Sequence, residues 1–461
     1  MKKNSLYALA AAGLLAGFGA TSAMAADLGG DCCADLEERV AELEATTARK
    51  GNRKVSLTIS GFVAQQVVAW DDGQESNVYV TDTGSVSIGT HFAFSGAAQI
   101  TPDTSAGFMI KIEAMNNDSL TVGQNSDEGP NAMSILQGGG GNALALESAY
   151  WFLKSNTLGR VSLGQQSSAA DNQAILPDGS GSLVQANYVM YDVNGFTTRA
   201  GGGYTGFTWG SLANCQGLNG YGGAFGDCDG VPSNNVRYDT PTFAGFSASA
   251  SWGEDDMWAV SGRYAGEFVG FKVAAAIAYH ETTDETGTAG PGVPTMLAAR
   301  NNGGLDIGHL QTGAYIEHVQ SGLFVYGAYA QAYNDTTASV RGAGQTNPDG
   351  EMWYIKAGLK GQWTSLGGTT IYGEYGRHDD SFTAGMYDAG VNASELEQYG
   401  IGIVQNIDAA AMQMWLSWRH YEGDVTCANQ VAGSCAGLGL GTGSNSLEEF
   451  DLVKFGALIA F

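Results

Sequence analysis

An imidazole beside carboxylates is a common arrangement for general base catalysis, and this sequence contains one clear instance. Six histidines are spread through the chain, and only His378 is followed by two carboxylates, Asp379 and Asp380. A hydrolase would also need a nucleophile, but no Gly-x-Ser-x-Gly turn precedes a predicted helix. We therefore interpret this group as a solvated strand end and predict that the protein is not an enzyme.

The six cysteines do not have the spacing of metal ligands, and no histidine lies close to a cysteine pair. Cys215 and Cys228 stand in one glycine-rich stretch, and Cys427 and Cys435 stand in another. Each pair could close a loop disulfide in an oxidising compartment. For the adjacent pair Cys32–Cys33, a cross-link to a neighbouring chain and a reduced state both stay open. We predict no metal and no cofactor.

The charge of the chain limits the kinds of partner that the protein could bind. The chain has 21 Lys and Arg against 47 Asp and Glu, a formal net charge of -26. Such acidity excludes nucleic acid as a partner, because phosphate binding needs a basic patch. Residues 1–25 combine two lysines, an apolar run and a small-x-small ending, which predicts a secretory signal peptide.

From residue 55 to residue 461 the apolar residues recur at every second position. In one segment Phe108, Ile110 and Ile112 alternate with Lys111 and Glu113. This period predicts strands with one apolar and one polar face. Short turns alternate with long loops rich in Gly, Asn, Asp and Ser, which gives about sixteen strands. The turns are expected at 156–159, Gly266, Ser321–Gly322, Gly367–Gly368 and Asp408.

A soluble sandwich and a transmembrane barrel both alternate in this way, and two observations favour the antiparallel barrel. Charged residues recur at mid-strand positions, and aromatic residues concentrate toward strand ends, as they do in interfacial girdles. Closure is also the only way for strands to cross lipid without unpaired backbone groups. The charged residues are Lys111, Glu113, Glu147, Arg237, Asp239, Arg263, Lys272, Lys356, Lys360 and Lys454. The aromatic residues are Trp70, Phe92, Trp151, Trp258, Phe271, Trp353, Trp363 and Trp418.

Residues 26–54 have a helical period instead. Leu36, Val40 and Leu43 form a narrow apolar stripe among charged residues, which is the pattern of a short coiled coil. Two heptads are marginal alone. We expect this periplasmic helix to join three chains or to bind the cell wall (peptidoglycan), and a helix without a task is the alternative.

Two segments carry a resemblance to a known family. Residues 32–80, beginning CCADLEERV, strongly resemble the start of mature porins of α-proteobacteria, and residues 234–256, NNVRYDTPTFAGFSASASWGEDD, resemble a hairpin of general porins. The resemblance implies a 16-stranded outer-membrane barrel, a homotrimer, passive diffusion of small hydrophilic solutes, and a third loop folded into the lumen. Outer-membrane lipid, lipopolysaccharide and the outer-membrane assembly machinery are the implied partners.

The constriction loop of that family corresponds to about 166–195 here. The resemblance implies that loop acids, Asp171 and Asp178, face a row of basic wall residues across the lumen. Glu147 stands where related porins carry an inward arginine, which weakens or rearranges the transverse field. His91 would add pH sensitivity near neutrality. By strand parity, the basic wall candidates are His91, Lys111, Arg237, Arg263 and Lys272.

The last strand, ending in DLVKFGALIAF, places Phe455, Ile459 and Phe461 on one face and Lys454 on the other. We expect it to pair with the first strand near 55–70 and so close the sheet. The resemblance implies that Phe461, with Ile459 and Phe455, forms the signal for outer-membrane assembly.

Two further expectations concern selectivity. The net acidity of loops and mouth predicts a preference for cations. A sugar-selective channel is the alternative to general diffusion, because Tyr188, Tyr191, Tyr204 and Tyr354 could form an aromatic slide through the pore. Those tyrosines are spread over many segments, so general diffusion is the preferred interpretation.

Overall fold

A computed structural model describes most of the chain after residue 54. The described residues are 55–84, 88–114, 117–124, 144–186, 190–213, 227–228, 232–253, 257–285, 305–334, 348–428 and 435–461. The expected signal peptide (1–25), the N-terminal helix (26–54), Cys32–Cys33 and Cys215 lie outside them.

The described residues are dominated by β-strands. Twenty strands are present, in the order β1 Thr58–Asp71, β2 Ser76–Thr81, β3 His91–Gln99, β4 Thr104–Ala114, β5 Leu144–Ser155, β6 Gly159–Gln166, β7 Thr197–Ala200, β8 Gly203–Thr208, β9 Ser233–Asp239, β10 Phe246–Gly253, β11 Met257–Phe268, β12 Phe271–Glu285, β13 Leu305–His318, β14 Leu323–Asn334, β15 Gly350–Gly361, β16 Thr369–Asp379, β17 Val391–Ile407, β18 Met412–Cys427, β19 Gly443–Ser446 and β20 Phe450–Ala460. Short α-helices span Leu183–Ala186, Met190–Val193 and Ala384–Ala389, and 3-10 helices span Trp209–Leu212, Asp408–Ala410 and Ala436–Leu438.

Apart from the β7–β8 hairpin, the strands of this described part close into one antiparallel barrel with sixteen strand positions. Two positions are each shared by two strands: β2 and β3 pair with the two ends of β1, and β19 and β20 pair with the two ends of β18. The barrel closes because β1 pairs with β20 from Phe62–Ala460 to Asp71–Asp451. The predicted pairing of first and last strands is confirmed, and it leaves the barrel without an open edge.

The period-two pattern sorts the side chains as predicted. On β20, Phe455 and Ile459 are each 49% exposed on the outer face, whereas Leu452, Lys454 and Leu458 are buried on the inner face. Apolar groups on the outside of a closed barrel match a lipid environment. Trp70 is an exception to the predicted girdle, because it points inward and is buried against Phe196 and Phe450.

Short turns join the strands at one end of the barrel. The connection at 156–158 and the one at 319–322 lie where the sequence predicts them. The hairpin expected around Gly266 turns later instead: Phe268 pairs with Phe271, and Val269 and Gly270 occupy the turn with φ of 50° and 80°. Positive φ at both central residues is the geometry of a type I′ turn, which suits the twist of the strands.

The longest connection, between β6 and β9, turns back inside the barrel rather than away from it. Its described residues from Ala169 to Leu212 include many that are almost completely buried, and it carries the separate hairpin β7–β8. No helix in the described part of the chain is both long and apolar enough to span a bilayer.

Candidate functional site

The inner loop, residues 167–232, follows the barrel wall in strand order. The carbonyl of Ala174 accepts a hydrogen bond of 2.7 Å from Tyr326 on β14. Further along, the carbonyl of Ser180 accepts one of 2.9 Å from Thr370 on β16. The loop therefore lines the inner surface of one half of the barrel, from β13 toward β1.

Three buried cations on the wall fix this path. Lys356 Nζ lies 2.5 Å from Asp178 Oδ2, and both side chains are completely buried. Arg419 Nη1 lies 2.9 Å from Asp192 Oδ2, and Lys454 also forms an ion pair with Asp192. Because these charges are removed from water, each needs its partner, and the loop cannot leave the wall without exposing several unpaired charges.

The other half of the barrel stays open. A cavity of about 1010 Å³ lies between the loop and strands β3–β6 and β9–β11, and it extends to the short turns. Its charged lining consists of Lys111, Lys154, Arg160, Arg237, Arg263, Glu147, Asp171 and Asp239, and His91 also lines it.

On one side of this cavity, Lys111 Nζ lies 2.7 Å from Glu147 Oε1. The register between β4 and β5 shifts here, so that Lys111 pairs with Ser148 and Ile112 with Leu146. Glu147 is the extra residue of a β-bulge, and bulges commonly redirect a side chain. The bulge places this carboxylate against the lysine.

On the other side, wall arginines reach the loop. Arg237 donates a hydrogen bond of 2.8 Å to the Ser168 carbonyl and pairs with Asp239. Arg263 Nε donates one of 2.6 Å to Gln173 Oε1. Asp171 of the loop interacts electrostatically with Arg263. Wall arginines and a loop acid therefore meet where the loop borders the cavity.

The expected site residues fall into two groups. Asp171, Glu147, Lys111, Arg237 and Arg263 come together around the cavity. His91 joins them, with its ring 4.3 Å from that of Phe62 and Nδ1 3.0 Å from the Gly89 carbonyl.

Two expected residues lie elsewhere. Asp178 faces the wall rather than the passage, because Lys356 binds it at the back of the loop. Lys272 on β12 faces Glu317 at 3.5 Å, away from the cavity lining. Lys272 has the predicted inward parity, and Asp178 lies in the predicted loop. Parity does not show, however, whether an inward residue faces the open cavity or the half of the barrel that the loop fills.

Four further charged residues line the cavity or anchor the loop, and they are not among the site residues expected from the sequence. Lys154 and Arg160 line the cavity, and Arg160 lies over the ring of Phe152 at 4.4 Å. Arg419 and Asp192 anchor the loop. Parity alone could have found the three basic residues, since each alternates with an outward residue on its own strand.

At the loop end of the barrel, the β7–β8 hairpin is tied to the turn after β1. Arg199 Nε lies 2.8 Å from Asp72 Oδ2, and the ring of Tyr204 covers the guanidinium at 3.7 Å. Burial alone would raise the pKa of Asp72, but hydrogen bonds from Arg199, Gln124 and two backbone amides hold the pKa below 3.8.

The cysteines and tyrosines singled out in the sequence are the remaining residues to be located. A disulfide joins Cys427 and Cys435, and Cys228 is also disulfide-bonded. Tyr354 is buried and donates to Glu374, while Tyr204 covers Arg199, so neither lines the cavity. Tyr188 lies outside the described residues, and so does the side chain of Tyr191.

A closed barrel of this kind with a loop inside its lumen has a counterpart among protein families. The family model described as Gram-negative porin matches residues 8–412 of this chain. The chain belongs to the Gram-negative porin family. The porin is an outer-membrane diffusion channel. No curated protein matches the sequence.

Several solved structures resemble the fold of the porin. An anion-selective porin from Comamonas acidovorans is 15% identical, with a TM-score of 0.49, over 88% of this chain and 100% of that one. The channel DcaP of Acinetobacter baumannii is 11% identical, with a TM-score of 0.47, over 89% and 99%. Salmonella typhi OmpF in complex with daunomycin is 14% identical, with a TM-score of 0.45, over 88% and 98%.

Proposed function

We propose that this porin is a general diffusion channel whose solutes pass between the inner loop and the wall strands β3–β6 and β9–β11. The observation that supports this path is the cavity of about 1010 Å³ with its charged lining. No bond is made or broken in such a passage. Width limits the size of the solute, and charged walls favour solutes that keep or replace their hydration.

The lining of the cavity favours anions, in contrast to the expectation from net charge. Five basic side chains line it against three acidic ones, with histidine counted as neutral. Charges on distant loops are screened over about 8–10 Å at ordinary salt, whereas groups at the passage act directly on the ion. We therefore infer a mild anion preference.

Reversal potential in a planar bilayer with a KCl gradient tests both parts of the proposal. Ohmic, unsaturated conductance with an anion preference is expected. Arg160→Gln should move the reversal potential toward the cation side, and Lys272→Gln, outside the cavity, should move it much less. A cation preference in the parent protein would overturn the charge argument, and the absence of any conductance would overturn the channel itself. Saturable block by one sugar would favour the selective alternative.

We also propose that the porin is a homotrimer of the α-proteobacterial type. The resemblance of residues 32–80 supports this assembly. Light scattering of the folded protein in detergent should give the mass of three chains, with the mass of one chain as the contradicting result. Removing residues 27–50 should weaken the trimer or its attachment to the envelope without changing conductance.

A further inference from the structure

A second group of charged side chains lies on the outer face of the barrel, where the loop end of β18 meets the start of β20. His420 and Glu422 are on β18, Asp451 is on β20, and Glu449 directly precedes β20. On β18 these residues have the outward parity of Leu416, which is 49% exposed. The group is therefore separate from the lumen.

The imidazole at the centre of this group is buried and held in one orientation. The side chain of His420 is 8% exposed, and its Nδ1 lies 3.0 Å from Asp451 Oδ1. The same carboxylate oxygen accepts a hydrogen bond of 2.9 Å from Trp418 Nε1. A carboxylate oxygen only accepts hydrogen bonds, so the tautomer in which Nδ1 donates to Asp451 leaves Nε2 as the ring atom that can bind a metal ion.

Nε2 faces two more carboxylates. It lies 3.3 Å from Glu422 Oε1 and 3.8 Å from Glu449 Oε2. Glu422 is oriented by Tyr399, whose hydroxyl donates to Oε1 at 3.3 Å and whose ring packs on His420 at 4.9 Å. One nitrogen and two carboxylates thus converge, with their ligand atoms all within 4.8 Å of one another.

These separations suit a bound metal ion. Zinc binds histidine nitrogen and carboxylate oxygen at about 2.0–2.2 Å, so two ligands of a tetrahedral site stand roughly 3.3–3.6 Å apart. A carboxylate on the far nitrogen of the ring is the usual means of fixing a metal-binding histidine. Acidic residues alone would not indicate a site, but here a buried imidazole is aimed into them and oriented from behind.

We propose that His420 Nε2, Glu422 and Glu449 bind a divalent transition metal ion such as Zn²⁺, with Asp451 orienting the histidine. Three protein ligands leave one position for water. Glu449 belongs to the segment between β19 and β20, so the metal ion links this segment to β18. The site is independent of solute passage.

Zinc titration of metal-free, folded protein in detergent tests this proposal, with isothermal calorimetry as the readout. Parent protein should take up one high-affinity Zn²⁺ per chain, and Co²⁺ in its place should show tetrahedral d–d absorption. His420→Gln should abolish this uptake. Asp451→Asn should lower the affinity roughly 10–100-fold, as loss of an orienting partner does. His318→Gln is the matched control, since His318 lies at a short turn and contacts Ser321.

Equal zinc affinity in the parent protein and in His420→Gln would overturn the site, as would the absence of saturable uptake. Glu449→Gln covers the case in which His420→Gln does not fold, because its side chain is 72% exposed. This variant should fold and bind zinc more weakly, and unchanged binding would also contradict the proposal. All variants should conduct like the parent porin, which separates this test from that of the channel.

Discussion

Lys356 and Asp178 show how single residues hold the inner loop. Both side chains are completely buried, and they meet at 2.5 Å. Ser182 accepts a second hydrogen bond from the lysine at 3.0 Å, and Asp178 accepts one from the Ser180 amide at 3.0 Å. A charge without its partner in such a place is far more costly than the intact pair is stabilising.

A double-mutant cycle should reveal this asymmetry. Lys356→Met alone leaves a buried carboxylate and should lower the free energy of unfolding by about 3–5 kcal/mol. Asp178→Asn alone should cost a similar amount, because the lysine loses its counter-charge while the Ser180 contact is kept. The double variant should be more stable than either single one in urea unfolding from lipid vesicles. Additive losses would show that the two side chains act independently.

The sequence predicts the inward position of many of these residues, but not which of them line the passage and which bind the inner loop. Parity places Lys111, Arg237 and Arg263 on the inner face, because a strand alternates strictly. It cannot place Glu147, whose orientation depends on a one-residue bulge against β4. Nor can it separate wall cations that line the passage from those that bind the loop, such as Lys356, because that depends on the path of the loop.

Among the structural elements, the inner loop approaches the wall most closely at β13. A Cβ added to Gly313 would lie 1.8 Å from the Ala174 carbonyl oxygen, so only glycine leaves room for the loop backbone. Gln311 on the same strand also holds the loop, because its Oε1 accepts a hydrogen bond of 2.8 Å from the Ala174 amide. The loop is thus fixed by contact as well as by charge.

Gly313→Ala should displace the loop into the passage and change single-channel conductance, with increased current noise. Gly327→Ala is the matched control, because its added Cβ would meet the Tyr354 carbonyl at an ordinary 3.5 Å. Single-channel recording in a planar bilayer measures both. If the two alanine variants conduct alike, the close approach at β13 does not position the loop.

The β7–β8 hairpin should respond to acid. Asp72 has a folded-state pKa below 3.8, so its contribution to stability is complete above that value and is lost as pH falls through the lower folded pKa. As the pH falls through that lowered pKa, the hairpin should loosen from the turn after β1 and current noise should rise. Asp72→Asn should show this noise already at pH 7. A variant as quiet as the parent protein at pH 7 would show that Asp72 does not hold the hairpin.

Strands and loops differ in what the sequence reveals. Alternation over long segments predicts the strands and their inner faces, since each register error would expose a whole apolar face. Turn positions follow from the sequence with lower precision: the sequence predicts a turn around Gly266, but Val269 and Gly270 occupy it. The inner loop has no period, so the contact of its Asp192 with Arg419 on β18 could not be predicted.

At the scale of the whole molecule, the barrel has a filled half and an open half. The loop covers β13–β18 and β20 through buried contacts, and the cavity follows β3–β6 and β9–β11. This asymmetry decides which side chains meet the solute. The negative net charge of the chain then matters less than the basic excess along the passage.

Thiol labelling during single-channel recording tests this division of the barrel into a filled and an open half, with two serine-to-cysteine variants and the parent porin as background. Ser247 lines the cavity on β10, and Ser417 lies buried on β18 between Trp415 and Arg419. A charged methanethiosulfonate reagent should reduce the current through Ser247→Cys and leave Ser417→Cys at the level of the parent. Current loss in Ser417→Cys without loss in Ser247→Cys would contradict the proposed path.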